Sequence, residues 1–251
     1  MSASFRMDHN SLPPGHDKMA LQFSGGKDSL ALAYLLKPYW GRLTFYHLDT
    51  GDLLPEIRDL VARFAAKVPH FLRVETDARG WTEQNGLPSD LVPYTGSQAG
   101  VLIGWGKKRI IDRLDCCATN NMAPLHQRMV ADGITLVIRG TKRSDLPRLP
   151  HEGGDTGMGY HLWLPLLDWS DGDVFAFLAE RGVKLPPIYD NRVQSPECAT
   201  CPAWWNEGRA AYLREHYPDL FDVYRERLAR VYREVSPVFQ TLLTEMERAD
   251  G

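Results

Sequence analysis

The sequence contains no apolar run of the roughly 20 residues that a membrane-spanning helix needs. Its first 18 residues lack the apolar core of a signal peptide, so we expect a cytoplasmic protein with no membrane segment. Asp and Glu (32) outnumber Lys and Arg (29), and the formal net charge is −3. The global excess of positive charge that marks many nucleic-acid binders is therefore absent, although a local basic patch is compatible with this composition.

Cysteine is also scarce, and its placement is informative. The four cysteines form one adjacent pair, Cys116-Cys117, and one Cys198-x-x-Cys201. In a reducing cytosol such a set is more often a metal site than two disulfides, which are the alternative.

The rest of the composition is that of an ordinary globular protein, with 43% apolar and 24% charged residues. A chain of 251 residues can bury one main core. Apolar, β-branched runs alternate with helix-forming segments, which implies a parallel sheet with right-handed crossovers. The predicted strands cover 19–23, 43–48, 71–75, 134–139 and 162–166, and the predicted helices cover 29–36, 55–66, 123–131 and 170–181. The predicted fold class is α/β, a doubly wound and mostly parallel sheet with a helical C-terminal extension.

The remaining segments divide the chain further. Residues 1–18 are polar and aperiodic, which predicts a mobile arm. The main domain is expected over 19–202 and an amphipathic helical extension over 203–251. Gly, Pro, Asn and Thr predict a long surface loop over 77–97 and another loop over 143–159. A helical stretch over 107–113 is expected to lead into the first cysteine pair.

A glycine-containing hexapeptide lies between the first predicted strand and the first predicted helix. Backbone N–H groups and the helix N-terminus converge there, so the segment should hold an anion. Two glycines allow close approach, while the lysine and two hydroxyls add donors. It is not a Walker A motif. A plain Gly-Gly turn with a solvated lysine is the alternative. The residues are Ser24, Gly25, Gly26, Lys27, Asp28 and Ser29.

This hexapeptide resembles the PP-loop of the adenine nucleotide α-hydrolase superfamily. The resemblance implies an ATP pyrophosphatase class of enzyme that takes ATP, or an adenylyl-sulfate type of nucleotide, together with magnesium. It implies chemistry at the α-phosphate, with Lys27, Asp28 and Asp49 as catalytic residues and the hexapeptide as nucleotide-binding loop.

Three further segments resemble one branch, the adenylyl-sulfate and phosphoadenylyl-sulfate reductase family. They are the Asp-Thr-Gly motif Asp49-Thr50-Gly51, the basic segment 139–145 and the segment 165–169 with sequence PLLDW. In a doubly wound sheet, ligands bind at the carboxyl ends of the strands, where these segments are predicted. The resemblance implies that Asp49, Thr50, Gly51 and Arg143 contact the nucleotide. A turn cap and a solvated basic loop are the alternatives.

The cysteine pattern is the strongest part of this resemblance. Eighty residues, 118–197, separate Cys117 from Cys198. The pattern looks like the 4Fe-4S signature of the adenylyl-sulfate reductases, which implies that Cys116, Cys117, Cys198 and Cys201 hold such a cluster. A tetrahedral zinc site uses the same ligand type and is the alternative.

The sequence departs from the family in one respect. Its reductases use an additional cysteine near the C-terminus as the nucleophile, and no cysteine follows Cys201 here. We therefore expect adenylation of an acceptor in sulfur transfer, with a cysteine desulfurase as sulfur donor and a nucleic acid as an acceptor, as in thiolation or phosphorothioation systems. One alternative is a sulfonucleotide reductase that uses an external thiol such as that of thioredoxin. Another is a non-catalytic nucleotide-binding redox module.

Overall fold

The computed structural model describes residues 12–92, 98–103, 110–148, 153–190, 198–205 and 208–249. The chain divides into two compact units that are interleaved along the sequence. Unit 1 comprises residues 1–49, 55–74 and 125–186, and unit 2 comprises residues 50–54, 75–124 and 187–251. Most of the predicted arm over 1–18 lies outside the described residues. The predicted domain division at residues 18 and 202 stays a prediction.

Unit 1 is built on a mostly parallel sheet of six strands with the order β3-β2-β1-β6-β8-β7. β1 pairs in parallel with β2 and β6, β6 pairs in parallel with β8, and β7 is antiparallel to β8. The strands are β1 (Met19–Gln22), β2 (Leu43–Asp49), β3 (Phe71–Glu75), β6 (Leu136–Ile138), β7 (Gly154–Asp155) and β8 (His161–Trp163). The predicted α/β fold class is confirmed.

The helices that accompany this sheet begin and end close to their predicted positions. They are α1 (Lys27–Leu35), α2 (Pro55–Ala65), α6 (Ala123–Ala131) and α7 (Asp171–Glu180). Ser170 caps α7 in a capping box with Asp173, as S-x-x-D before an apolar run predicts. Apolar side chains from β1, β2, β6, β8 and α6 pack together in the core of the unit, including Ala20, Tyr46, Met129, Val137 and Leu162.

Unit 2 contains a two-stranded parallel sheet and mostly helix. Its strands are β4 (Leu87–Ser89) and β5 (Ile110–Asp112), and its helices are α3 (Ala78–Asn85), α4 (Gln98–Leu102), α5 (Arg113–Cys117), α8 (Arg209–His216) and α9 (Pro218–Ala249). Leu87 and Ile110 pack against Val231 and Val235 of α9. The predicted helical extension is confirmed, and its long helix shares a core with the small sheet. Within the described residues, no helix is both long enough and apolar enough to span a membrane.

Two predicted segments are wrong. The first part of the predicted loop over 77–97 is helix α3, which Asp77 caps by accepting the Gly80 N–H, followed by β4. The predicted helix over 107–113 contains β5 at Ile110–Asp112, because pairing with β4 outweighs local helix propensity there. The predicted loop over 143–159 includes a 3-10 helix at Arg143–Arg148 and the short strand β7. Residues 93–97, 107–109 and 149–152 lie outside the description.

Candidate functional site

The phosphate-loop hexapeptide is the connection between β1 and α1, as predicted. Gly25 has φ +85°, and a Cβ there would lie 2.7 Å from Val61 Cγ2, so the position suits glycine on both conformational and steric grounds. Two hydroxyls hold the turn: Gly25 N–H donates to Ser29 Oγ at 3.2 Å, and Gly26 N–H donates to Ser24 Oγ at 3.2 Å. Ser29 Oγ in turn donates to Gly26 O at 2.9 Å. Ser24 and Ser29 therefore shape the loop itself.

The loop after β6 lies directly against the first turn of α1. A Cβ on Gly140 would come within 2.9 Å of the carbonyl carbon and oxygen of Asp28 and 3.2 Å from Ser29 N. Real side chains essentially never approach backbone so closely, so only glycine permits this contact. β1 is the strand from which the sheet continues in both directions, which makes the carboxyl ends of β1 and β6 the switch point where such folds bind ligands.

Two lysines are buried at this switch point. Lys27, on the first turn of α1, has a side chain 7% exposed, and Lys142, after β6, has one only 3% exposed. Both are paired. Asp28 bridges them, because its carboxylate lies 2.9 Å from Lys27 Nζ through Oδ2 and 2.7 Å from Lys142 Nζ through Oδ1. We call Lys27, Asp28, Lys142 and Asp171 the lysine cluster.

Asp171 completes the lysine cluster from the start of α7, which packs against α1. Its Oδ1 lies 2.9 Å from Lys27 Nζ and 3.3 Å from Lys142 Nζ. Burial opposes ionisation of this carboxyl, but the hydrogen bond and charge of Lys27 outweigh it, so the pKa of Asp171 is lowered. Burial likewise opposes the charge on Lys142, yet Asp28 raises the pKa of Lys142 above its usual value. All four groups are therefore charged at neutral pH.

Lys142 and Asp171 were not predicted as site residues. The basic segment containing Lys142 was noted, but the pattern favoured Arg143 as the anion contact. In the structure Arg143 is 61% exposed and pairs with Asp168 at 2.7 Å, outside the lysine cluster. Its role at the nucleotide stays a prediction. The usable signal for Lys142 was its position three residues after the apolar strand Leu136–Ile138 and two after Gly140.

Asp49 ends β2, and its side chain is 13% exposed. The Arg73 guanidinium lies 4.0 Å from Asp49 Oδ2. Two residues earlier, His47 is buried, with Nδ1 2.8 Å from the carbonyl oxygen of Phe23. Burial lowers the pKa of His47, so its ring is neutral and Nδ1–H donates to Phe23 O. Its Nε2 has no hydrogen-bond partner among the described residues.

The second half of the Asp-Thr-Gly-Asp segment lies in unit 2, where it holds the Cys198–Cys201 loop. Thr200 donates to Asp52 Oδ2 from its N–H at 3.0 Å and from its hydroxyl at 2.8 Å. Ala199 N–H donates to Asp52 O at 2.6 Å, and Cys198 Sγ lies 3.5 Å from Thr50 Oγ1. The buried Asp52 also accepts from Arg79.

Two more arginines reach the same loop from the C-terminal helices. Arg209 donates to Cys198 O at 2.8 Å, and Arg227 donates to Thr200 Oγ1 at 3.0 Å. Both arginines are buried. Cys198 has φ +48°, a left-handed conformation that costs a non-glycine residue about 1 kcal/mol or more. The surrounding hydrogen bonds therefore impose the shape of this loop.

All four cysteines lie in the described part of unit 2, and each is a thiol rather than half of a disulfide. Burial, followed by the charges of Cys201 and Cys117, raises the pKa of Cys116 to about 12, so these sulfurs are within electrostatic reach of one another. Burial also raises the pKa of Cys201. Asn120 Nδ2 lies 3.7 Å from Cys116 Sγ. Among the described residues, no three or more His, Cys, Asp or Glu side chains form a group arranged to hold a metal.

Residues 18–204 match the family model of the phosphoadenosine phosphosulfate reductase domain. The chain belongs to this family. The match covers most of the 251 residues, from the start of β1 to just past the second cysteine pair.

Curated relatives agree with this assignment. The chain is 26% identical over 182 residues to the adenosine 5′-phosphosulfate reductase of Neisseria meningitidis serogroup B, covering 65% of this chain and 68% of that protein. It is 25% identical over 189 residues to the phosphoadenosine 5′-phosphosulfate reductase of Gloeobacter violaceus, covering 73% and 70%. It is 26% identical over 216 residues to an uncharacterized protein of Methanocaldococcus jannaschii, covering 83% of this chain but 47% of that protein.

A solved structure supports the fold. The phosphoadenylyl-sulfate reductase from Candida auris, in a phosphate complex, aligns with a TM-score of 0.50 at 17% sequence identity, covering 75% of this chain and 82% of that chain. At this identity the likeness concerns the fold alone.

Proposed function

We propose that this member of the phosphoadenosine phosphosulfate reductase family is an adenine-nucleotide enzyme of sulfur transfer that adenylates an acceptor at the expense of ATP. One observation carries the proposal: two buried lysines from different strand ends meet at the switch point of the sheet, beside a glycine turn that opens a helix. Buried lysines at such a place are suited to phosphate recognition.

The charges of the lysine cluster favour magnesium as a companion of the nucleotide. Lys27 and Lys142 face three carboxylates, those of Asp28, Asp171 and Asp145, the last 3.4 Å from Lys142 Nζ. The carboxylates outnumber the lysines by one, so an ATP phosphate would meet repulsion unless a cation came with it. A divalent ion that prefers oxygen ligands fits between these carboxylates and the phosphates.

The proposed step is a displacement at the α-phosphorus. An acceptor oxygen forms a bond to phosphorus while the bond to the β-phosphate oxygen breaks, and pyrophosphate leaves with the bonding electrons. The acceptor proton passes to a base, for which Asp49 at the end of β2 is the candidate. Lys27 and Lys142 offset negative charge on the phosphate oxygens in the transition state. A sulfur nucleophile then displaces AMP from the adenylated acceptor.

The donor set of unit 2 fits a 4Fe-4S cluster, with Cys116, Cys117, Cys198 and Cys201 as the four thiolate ligands. Such a cluster, when bound, supplies electron transfer or sulfur chemistry. The protein's own contribution is to fix the Cys198–Cys201 loop through Asp52 and to place the Arg209 and Arg227 guanidinium groups beside it. Positive charge there favours thiolates over thiols, which offsets the effect of burial on the pKa of Cys201.

A second candidate is reduction of adenylyl sulfate or its 3′-phosphorylated form, which the names of the curated relatives favour. That reaction transfers the sulfonate from the nucleotide to a thiolate. These 251 residues contain four cysteines, all four of them proposed cluster ligands, so an external thiol such as thioredoxin would have to attack.

Two parallel assays of the anaerobically purified chain separate the candidates. One contains ATP, magnesium, a nucleic-acid acceptor, cysteine and a cysteine desulfurase, and the other contains ³⁵S-labelled adenylyl sulfate with reduced thioredoxin. AMP and pyrophosphate in the first assay alone support acceptor adenylation. Labelled sulfite in the second supports the reductase, and no turnover in either, with retained nucleotide binding, would indicate a binding module. Lys37→Ala, which removes a lysine from the 3-10 helix after α1, is the matched control for Lys27→Ala and Lys142→Ala.

A further inference from the structure

The C-terminal half of α9 carries a row of exposed apolar side chains. Every residue from 238 to 249 is exposed, and the large apolar ones among them lie along one side of the helix. Their exposed fractions are large: Tyr232 72%, Val238 46%, Phe239 43%, Leu242 53%, Leu243 48% and Met246 55%. A contiguous apolar surface of this kind in a chain of otherwise ordinary composition marks an interaction site.

The spacing of these side chains is that of a packing seam. Tyr232, Val235, Phe239, Leu242 and Met246 are separated by three, four, three and four residues, which is the a/d repeat of helices that pack against one another. We call these five residues and the flanking Val238 and Leu243 the α9 seam. Val235 lies where the seam leaves the core, because it packs with Leu87 and Ile110. The rest of the seam continues beyond that core.

The extension needs a partner in order to be stable as a helix. Residues 238–249 make up about three turns, about 18 Å, and a segment of that length is marginal as an isolated helix in water. Pro237 weakens it further, because proline has no N–H to donate within the helix. Burial of the seam residues against another helix would supply the missing stability.

The charges of α9 identify a second copy of this helix as the occupant. The stretch from 225 to 234 holds four arginines and two glutamates, whereas the stretch from 245 to 250 holds Glu245, Glu247, Asp250 and one arginine. An antiparallel pair places the basic stretch of each helix beside the acidic end of the other, and a parallel pair places like beside like. The helix dipoles also favour the antiparallel arrangement.

We propose that the α9 seam is the interface of a two-fold symmetric homodimer in which the C-terminal halves of α9 pack antiparallel. The interface is isologous, so each seam residue contributes twice. Antiparallel pairing also places the two protein bodies at opposite ends of the helix pair, where they do not collide.

The test is the mass of the full-length chain in solution, measured by sedimentation equilibrium over a range of concentrations. We expect a dimer, and we expect Leu242→Glu and Phe239→Glu each to raise its dissociation constant about 100-fold, about tenfold for each of the two glutamates introduced. The control is Val223→Glu, an exposed valine on the opposite side of the same helix, which leaves the constant unchanged. Circular dichroism of each variant verifies that the rest of the chain is folded.

The orientation has its own test. Glu245→Lys with Glu247→Lys should weaken the dimer about tenfold at low salt, and adding Arg233→Glu should restore it, because exposed charge pairs are each worth up to about 1 kcal/mol and are screened by salt. A wild-type chain that is monomeric at every concentration would overturn the proposal, as would a dimer that tolerates Leu242→Glu or dissociates equally with Val223→Glu. A dimer insensitive to the charge changes would overturn the antiparallel arrangement.

Discussion

The carboxylate of Asp52 accepts two hydrogen bonds from Thr200, one from its backbone N–H at 3.0 Å and one from its hydroxyl at 2.8 Å. The two residues are 148 positions apart in the chain. Asp52 is buried and is also paired with Arg79, so a single carboxylate joins the segment after β2, helix α3 and the loop between Cys198 and Cys201. The geometry of the second cysteine pair therefore depends on a residue outside the cysteine motif.

We predict that Asp52→Asn lowers the free energy of unfolding by about 3 kcal/mol, because it leaves buried donors and an arginine without their anion. The measurement is urea denaturation followed by circular dichroism. Asp168→Asn is the matched control, since it breaks the exposed pair with Arg143 and should cost less than about 1 kcal/mol. Equal effects of the two changes would show that Asp52 does not hold the loop.

We predict that Lys142→Ala reduces nucleotide turnover about 10²–10³-fold, the typical effect of removing one donor that offsets charge in a transition state. The same loss is expected for Lys27→Ala, and Asp28→Ala should also abolish turnover because it separates the two lysines. Release of pyrophosphate is the readout, and a melting curve verifies the fold. Retention of wild-type rates by Lys142→Ala would remove the lysine cluster from the mechanism.

We predict that Gly140→Ala impairs nucleotide binding and destabilises unit 1 by about 1–3 kcal/mol, because its methyl group would press on the backbone of Asp28 and Ser29. Backbone cannot swing aside as a side chain can. Isothermal titration with ATP and urea denaturation measure the two effects. Gly41→Ala is the control, since a Cβ at Gly41 meets open space and its φ is not positive, and it should behave like wild type.

We predict that unit 1 loses stability as the pH falls from 7.5 to 5.5, in part through His47. Burial lowers the pKa of His47 in the folded state, so the unfolded chain binds more protons in this range. Stability from the neutral ring is complete above the unfolded pKa of about 6.5 and is lost as the pH falls below it. His47→Phe should flatten this pH dependence, while His70→Asn, at an exposed histidine, should not. Identical pH profiles for His47→Phe and wild type would exclude His47 as the source.

We predict iron and sulfide in near-stoichiometric amounts, with a broad visible absorption shoulder, when the chain is purified without oxygen. Cys116→Ser and Cys201→Ser should each lose this absorption, because all four thiolates are needed. Asp52→Asn should lower the iron content without removing a ligand. Zinc at one atom per chain without sulfide would assign the four cysteines to a structural zinc site instead.

Local pattern was sufficient where an element carries its own periodicity and caps. The strand Phe71–Glu75 and the helix Ala123–Ala131 have the bounds that the sequence predicts. Helix α3 was missed because Gly80 and Asn85 make its local helix propensity poor. Its stability comes from tertiary contacts instead, including Arg79 with Asp52 and Glu83 with Arg230. No local pattern contains those partners.

The same reasoning separates the predicted and missed parts of the site. The glycine loop between β1 and α1 is a short-range feature, so the hexapeptide identifies it. Lys142 and Asp171 join Lys27 and Asp28 only through contacts that span 114 and 144 positions. Arg143 and Lys142 are neighbours of similar charge, and only the path of the backbone after β6 decides that Lys142 is buried while Arg143 is exposed.

The interleaving of the two units has a consequence for how the chain is made. The second segment of unit 2, 75–124, leaves the ribosome before the last segment of unit 1, 125–186, so neither unit is complete while the other is being synthesised. The first cysteine pair must wait as exposed thiols until its partners at 198 and 201 emerge. Because Val231 and Val235 pack on Leu87 and Ile110, a chain cut after residue 202 would also lack the helix that covers the small sheet. A ribosome-stalled or protease-trimmed form should therefore be recognised by chaperones as incomplete, although its nucleotide loop is already present.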